Sequence, residues 1–286
     1  MALTQDDIKK YSHSTEESRF FLSFVVIIPV VIIFIAITIK YFLFVVIYFL
    51  VIFGFLWIVT QTIIASYIGN LVRISDKNFP EISSMIEQKK THFGYDRKID
   101  AFIVDAEGYN AYIVPLLQRK VIILEASMLK NLSSRTEIEW VVGRFIGALA
   151  ARHYRFMILE GVLNAIENLW IFNIFLFPYE RSIQYSGDQL GLIAMNNNIL
   201  VANNGIDVAA RSICKLMSGP EVGDMVNYAG ILDQRKLMQS GFFNWLARCF
   251  SLYPPAVKRL ENLVIFSLIN TPVKAQDFIA KNGLRI

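Results

Sequence analysis

Few residues in this chain are equipped for chemistry, and their spacing does not favour it. The 286-residue sequence holds three histidines, His13, His92 and His153, and two cysteines, Cys214 and Cys249. A helix offers zinc two histidines on one face when they stand four residues apart. No histidine pair here has that spacing. Two cysteines make neither a disulfide framework nor a metal cluster; they read as reduced thiols in a cytosol-facing domain, packed as small hydrophobes. The basic doublets Lys89–Lys90 and Arg97–Lys98 suit anionic lipid headgroups, and equally a plain solvated face. A formal net charge of +4 is too small to argue for a nucleic-acid partner, which calls for a basic stripe.

The frame that must position these residues is apolar. Hydrophobic residues make up 55% of the chain and charged residues 18%, against about 25% charged in typical soluble domains. The excess is concentrated: from Phe20 to Asn70 the only charged residue is Lys40. One helix of that length would far exceed the ~30 Å hydrocarbon core of a bilayer, so the segment is expected to fold back. Thr38–Tyr41 is the natural break, since Lys40 can snorkel to an interface there. The pattern predicts spans over Phe20–Ile39 and Tyr41–Ser66, with Pro29 kinking the first and Trp57 and Tyr67 near the second interface. The competing reading is a core hairpin of a soluble protein. A cleaved signal peptide does not fit, because the run is too long and lacks a small-residue cleavage site. Lys9, Lys10 and Arg19 precede the hairpin, and Arg73, Lys77, Lys89, Lys90, Arg97 and Lys98 follow it. Both flanks are therefore expected on the cytoplasmic side of an inner or plasma membrane.

The organisation expected is a cytoplasmic segment over 1–19, a transmembrane hairpin over 20–70 and one domain over 71–286. In that domain Phe79–Lys89 has helical spacing of Phe79, Ile82 and Ile86. Asp100–Asp105, Asn110–Val114 and Lys120–Leu124 read as short strands separated by turn residues. Ser134-x-x-Glu137 is a capping box opening a helix from about Arg135 to Tyr154. The segment 156–178 is apolar, but Glu160, Asn164, Glu167 and Asn168 fall on one helical face. It reads as a membrane-associated helix lying against the hairpin or in the interface, or else as a third span. Arg181–Met195 and Asp207–Leu216 are further helices, the latter stopping near Gly219–Pro220. Tyr253-Pro254 precedes an apolar helix ending near Ile269. The fold class expected is α+β with more helix than strand.

In order, the chain presents a hydrophobic hairpin, a strand with Asn110-Ala111, a strand with Val121-Ile122-Ile123-Leu124, a capped helix, Gly187-Asp188-x-x-Gly191-Leu192 in a helix, and Tyr253-Pro254 followed by Arg259. That order resembles the HtpX-like membrane-anchored zinc metallopeptidases, related to the CaaX prenyl proteases, from about Arg73 to Phe266. The resemblance implies a helix-rich zincin-like domain. It also implies an H-E-x-x-H helix holding zinc, with the glutamate activating a metal-bound water, and a third ligand, a Glu, from a later E-x-x-x-D helix.

The chain departs from that pattern at each ligand. The first ligand position is Arg144, the general-base position Phe145, the second ligand position Ala148 and the third Gln184. Gly147, Asp188, Gly191, Leu192 and Arg259 match; His153 matches a further family histidine that is not a ligand, and Tyr253 stands where the family usually has His. A guanidinium stays protonated and offers zinc no lone pair, alanine has no donor atom and phenylalanine accepts no proton. No group remains to hold a metal or ionise its water, so no metal and no cofactor are expected. With zinc gone, Asp188 either pairs with Arg144 or is a solvated or N–H-bonded carboxylate. Gly147 reads as a close-packing residue and His153 as a packed or surface residue. Asn110, Ala111 and Tyr112 resemble the family's strand along the substrate cleft, and so read either as a peptide-binding edge or as an ordinary covered strand.

The function expected is that of a catalytically inactive, membrane-anchored metallopeptidase homologue. It would serve as a binding, scaffold or regulatory subunit, with membrane lipids and a protein partner or larger assembly as its contacts. The alternatives are an active membrane zinc endopeptidase with an unorthodox metal site, and a structural subunit whose cleft is vestigial.

Overall fold

A computed structural model describes residues 3–105, 111–115, 120–131, 135–154, 176–195, 205–239, 241–251 and 253–284. Three helices come first: α1 (Gln5–Tyr11), α2 (Glu16–Lys40) and α3 (Phe42–Asn70). Thr4 caps α1 reciprocally with Asp7. Only Tyr41 separates α2 from α3, within the break read from the sequence, and Pro29 lies inside the continuous helix α2.

The rest of the described chain runs β1 (Val72–Arg73), α4 (Pro80–His92), β2 (Ile99–Val104), β3 (Ala111–Pro115), β4 (Lys120–Glu125), α5 (Ala126–Asn131) and α6 (Arg135–Ala150). It continues with α7 (Phe177–Met195), α8 (Gly205–Ser218), α9 (Pro220–Gly223), α10 (Tyr228–Gln239), α11 (Phe242–Phe250), α12 (Ala256–Asn270) and α13 (Pro272–Asn282). The molecule is therefore helix-rich, with one small mixed sheet in the order β1-β2-β4-β3. β2 and β4 are parallel, and β1 and β3 pair antiparallel at the two edges.

The two central strands are apolar on both sides, as parallel strands covered on both faces require. Ala101, Ile103, Ile122 and Leu124 join the main core with α4 and α6. Phe102, Val121 and Ile123 form a second cluster with Ile64, and Ile63, Tyr67 and Leu71 pack against it. The last turns of α3 thus cover one face of the sheet. Farther back, α3 is stripped of cover. Its Val46–Asn70 stretch is long and apolar enough to cross a membrane, and only 6% of its most apolar window is buried. Phe44 and Leu50 are 75% and 68% exposed.

Two boundaries differ from the sequence reading. Helix α6 stops at Ala150, not Tyr154, because Arg152 adopts a left-handed conformation (φ 58°). The His153 N–H then donates to Ala148 C=O and the Arg152 N–H to Leu149 C=O, closing a Schellman motif. Helix α7 begins at Phe177, before Arg181, with Pro178 in its first turn, where a missing N–H costs no helical bond. Asn110, Ser134 and 156–175 of the apolar segment lie outside the described residues.

The sequence reading set the segment 1–19 apart from the domain over 71–286. From Leu3 onward it is packed: Leu3 N–H donates to His92 C=O at 2.8 Å, and Ile8 belongs to the main core.

Candidate functional site

Helix α6 is the axis of the molecule. Every residue from Glu139 to Ala150 is buried. It runs antiparallel to α7, with Trp140 meeting Gly191 at one end and His153 meeting Tyr179 at the other. Small residues permit the approach. A Cβ on Gly143 would stand 2.5 Å from that of Ala194, one on Gly147 2.7 Å from that of Leu190, and one on Gly191 2.9 Å from Trp140 Nε1.

At the middle of this pair Arg144 and Gln184, two of the positions the sequence reading compared with zinc ligands, converge. Arg144 Nη2 donates to Gln184 Oε1. Arg144 Nε lies 2.8 Å from Asp188 Oδ1, a charge contact whose N–H is not aligned as a hydrogen bond. From α12, Arg259 grips the same carboxylate at both oxygens: Nε to Oδ2 at 2.7 Å and Nη2 to Oδ1 at 2.8 Å. Asp188 is 2% exposed. Sequence reasoning left Asp188 either paired with Arg144 or as a solvated or N–H-bonded carboxylate; the structure brings Asp188 and Arg144 together and adds Arg259, which the sequence offered only as a matching basic residue. Phe145 and Ala148 are buried beside them. The Arg144 guanidinium also lies 5.5 Å from the Phe145 ring centroid and 5.9 Å from that of Trp140, within cation–π range.

The electrostatics follow from burial. Desolvation pulls the Arg144 pKa down, against the attraction of Asp188. Desolvation also acts on Arg259, but Asp188 and the hydrogen bonds to it more than offset it, and its pKa is raised. One carboxylate thus holds two guanidiniums in a dry centre. This residue set does not fit zinc: the guanidinium of Arg144 fills the space between Gln184 and Asp188, and no lone-pair nitrogen or thiolate faces it. Among the described residues no group of three His, Cys, Asp or Glu side chains converges to hold a metal.

Two further buried ion pairs fix α6. Lys215 of α8, fully buried, sits 3.1 Å from both Glu137 oxygens and 3.1 Å from Asp224 Oδ2. Burial raises the Glu137 pKa despite Lys215. Lys89 of α4 binds Glu139 and donates to Ala194 C=O at 2.8 Å. Partner identity, more than energy, is what such buried pairs specify.

A third cluster was not found from sequence. The His13 N–H donates to Ser186 Oγ at 2.9 Å, and the Ser186 hydroxyl donates to Glu16 Oε2 at 2.6 Å. The same Glu16 oxygen lies 3.0 Å from His153 Nε2, with His153 fully buried. His13 stacks on Tyr185 with centroids 5.1 Å apart, and Nδ1 accepts from the Thr15 N–H at 3.2 Å. Burial lowers the His13 pKa. Ser186 lies 173 positions from His13 and 170 from Glu16, and no local periodicity announces the cluster.

Of the cleft candidates, Asn110 is outside the described residues. Ala111 is buried and Tyr112 is 39% exposed on β3, the outer strand of the sheet, which lies alongside α6. Cys214 is buried and Cys249 partly so; both are free. Burial pushes the Cys214 thiol up to about 12, which makes it inert.

Compared with protein-family models, curated proteins and solved structures, the chain matches none of them.

Proposed function

We propose that this chain is a catalytically inactive, membrane-anchored relative of the HtpX-like metallopeptidases, acting as a scaffold or regulatory subunit on the cytoplasmic face of the membrane. The observation that carries this reading is the centre of the α6–α7 pair. Where the resemblance asks for two histidines, a glutamate base and a third carboxylate, the chain has Arg144, Phe145, Ala148 and Gln184. The guanidinium of Arg144 bonds to Gln184 and contacts Asp188. An ion pair there keeps the helices in register without a metal, and it offers neither a Lewis acid nor a base for water.

The membrane part of the reading is supported by the length and apolar surface of α3 and by the exposed apolar side chains of α2, among them Phe21 and Ile33. Exposed apolar area on that scale marks lipid or protein contact. The basic flanks of the hairpin support its cytoplasmic orientation. Binding of a partner is the role left to a fold with an outer strand and an anchor once the chemistry is gone. Tyr112 on β3 is exposed.

The deciding experiment is metal analysis of the purified, detergent-solubilised full chain, together with a peptidase assay in added zinc. The expected result is zinc far below one per chain and no cleavage that depends on it. Stoichiometric zinc retained through gel filtration would overturn the reading in favour of an unorthodox metal site.

A further inference from the structure

We propose that a cavity at the C-terminal end of α6 binds a phosphate-bearing anion, with Arg97 and Lys120 as its principal ligands. The cavity has a volume of about 860 Å³ and is lined by Arg97, Lys120, Arg152, Tyr95, Tyr154 and Gln5, with Asp96 also on its wall. Arg97 and Lys120 against the one carboxylate of Asp96 leave that wall with a surplus of positive charge.

The pairing pattern elsewhere in the molecule sets these cations apart. Lys89, Lys215, Arg144, Arg235 and Arg259 all meet carboxylates. Among the described residues, Arg97 and Lys120 have no ion-pair or side-chain hydrogen-bond partner. Lys120 is half-buried at the start of β4, and its pKa is pushed down by burial and by Arg97. Holding two cations together without a counter-charge is unfavourable unless an anion neutralises them. The third cation, Arg152, lies in the left-handed turn that ends α6 (φ 58°).

The donor set points to phosphate. Guanidinium and ammonium groups bind several phosphate oxygens at once. The Tyr95 and Tyr154 hydroxyls add donors, and burial raises both their pKa values, so they keep their protons.

The location supplies a source. A second cavity of about 510 Å³ shares Gln5 with the first, and Phe20 and Phe21 of α2 and Ala151 line it. The basic cavity therefore meets, at Gln5, a second one that borders the helix whose Phe21, Leu22 and Phe24 are exposed. A phospholipid headgroup reaches it from that side. Free phosphate or a soluble phosphate ester satisfies the same ligands. The lipid source rests on the membrane reading above; the phosphate chemistry does not.

Native mass spectrometry of the full chain in a neutral detergent tests this, with phosphatidylglycerol, phosphatidylcholine and inorganic phosphate as probes. We expect phosphatidylglycerol to be retained over phosphatidylcholine. Each cation removed should weaken it about fivefold, so the double variant Arg97→Gln/Lys120→Gln should lose on the order of tenfold or more. Lys236→Gln, an exposed lysine outside the cavity, should change nothing. Lys120→Gln alone gives the readout if the double variant does not fold. Inorganic phosphate bound with the same dependence on Arg97 and Lys120, and without selection for the lipid, assigns the site to a soluble phosphate. Equal anion binding by wild type and monodisperse double variant overturns the proposal, as does binding of neither anion. A chain that stays soluble without detergent defeats the membrane reading but leaves the phosphate measurement intact.

Discussion

Asp188 is a single carboxylate shared by two buried guanidiniums, and that asymmetry orders the effects of substitution. Arg144→Ala leaves Asp188 gripped by Arg259 at both oxygens. The loss is that of one charged hydrogen-bonding partner, about 1.5–3 kcal/mol. Asp188→Ala leaves two buried cations uncompensated and should cost more, about 3–5 kcal/mol. Thermal unfolding of the detergent-solubilised variants checks the order; a larger loss for Arg144→Ala would mean that Arg259 is not the main partner. His13 carries a pH dependence. Its folded pKa lies below the usual histidine value because burial disfavours the charged form. The unfolded chain takes the proton more readily, so stability contributed by His13 is present above about pH 6.5 and lost as pH falls below it. Between about pH 7.5 and 5.5 the wild-type midpoint should drop further than that of His13→Gln. Parallel pH profiles would show that His13 is not responsible.

At the scale of elements, the α6–α7 pair is set by glycines four apart on both helices: Gly143 faces Ala194 and Gly191, Gly147 faces Leu190, Gly187 faces Arg144 and Gly191 faces Trp140. Each gives its neighbour room that a methyl group would take. Gly191→Ala drives a Cβ to within 2.9 Å of Trp140 Nε1 and 3.0 Å of Trp140 O. Since Trp140 is fully buried, the strain has nowhere to relax, and a loss of about 1–3 kcal/mol is expected. Gly230 in α10 is the control: its Cβ would meet nothing within 4 Å, so Gly230→Ala should be neutral or stabilise by about 0.5–1 kcal/mol through helix propensity. Denaturant midpoints of the two variants moving together would contradict the packing account. The motif residues Gly147 and Gly191 thus have a structural reason independent of any metal.

At the scale of the whole molecule, the first three helices and the rest of the described chain are not separable. The end of α3 covers Phe102, Val121 and Ile123, and the segment before α2 supplies Ile8 to the core and Glu16 to Ser186 and His153. A fragment starting at Leu71 uncovers one face of the sheet and strips partners from α7. It should aggregate or need detergent even though it lacks the apolar helices. Analytical ultracentrifugation of that fragment decides; a soluble, cooperatively folding monomer would restore a free-standing domain over 71–286.

The sequence by itself determined the two long apolar helices, the break between them beside Lys40, and the strands β2 and β4. Those are properties of local composition and residue type: an apolar run, a period, a turn residue. Even the α6–α7 site was half legible, since Arg144, Gln184 and Asp188 were named as one constellation through their order along the chain. What only the tertiary structure decided is which distant groups meet. Arg259 on Asp188, Glu16 with Ser186 and His153, and Lys215 on Glu137 join residues with no shared local pattern. The left-handed turn at Arg152 was equally silent, because an arginine carries none of the turn preference that a glycine announces. Burial does this work: once a chain folds about a central helix, every charge drawn inside must find a partner, and the partner is chosen by packing rather than by proximity in sequence.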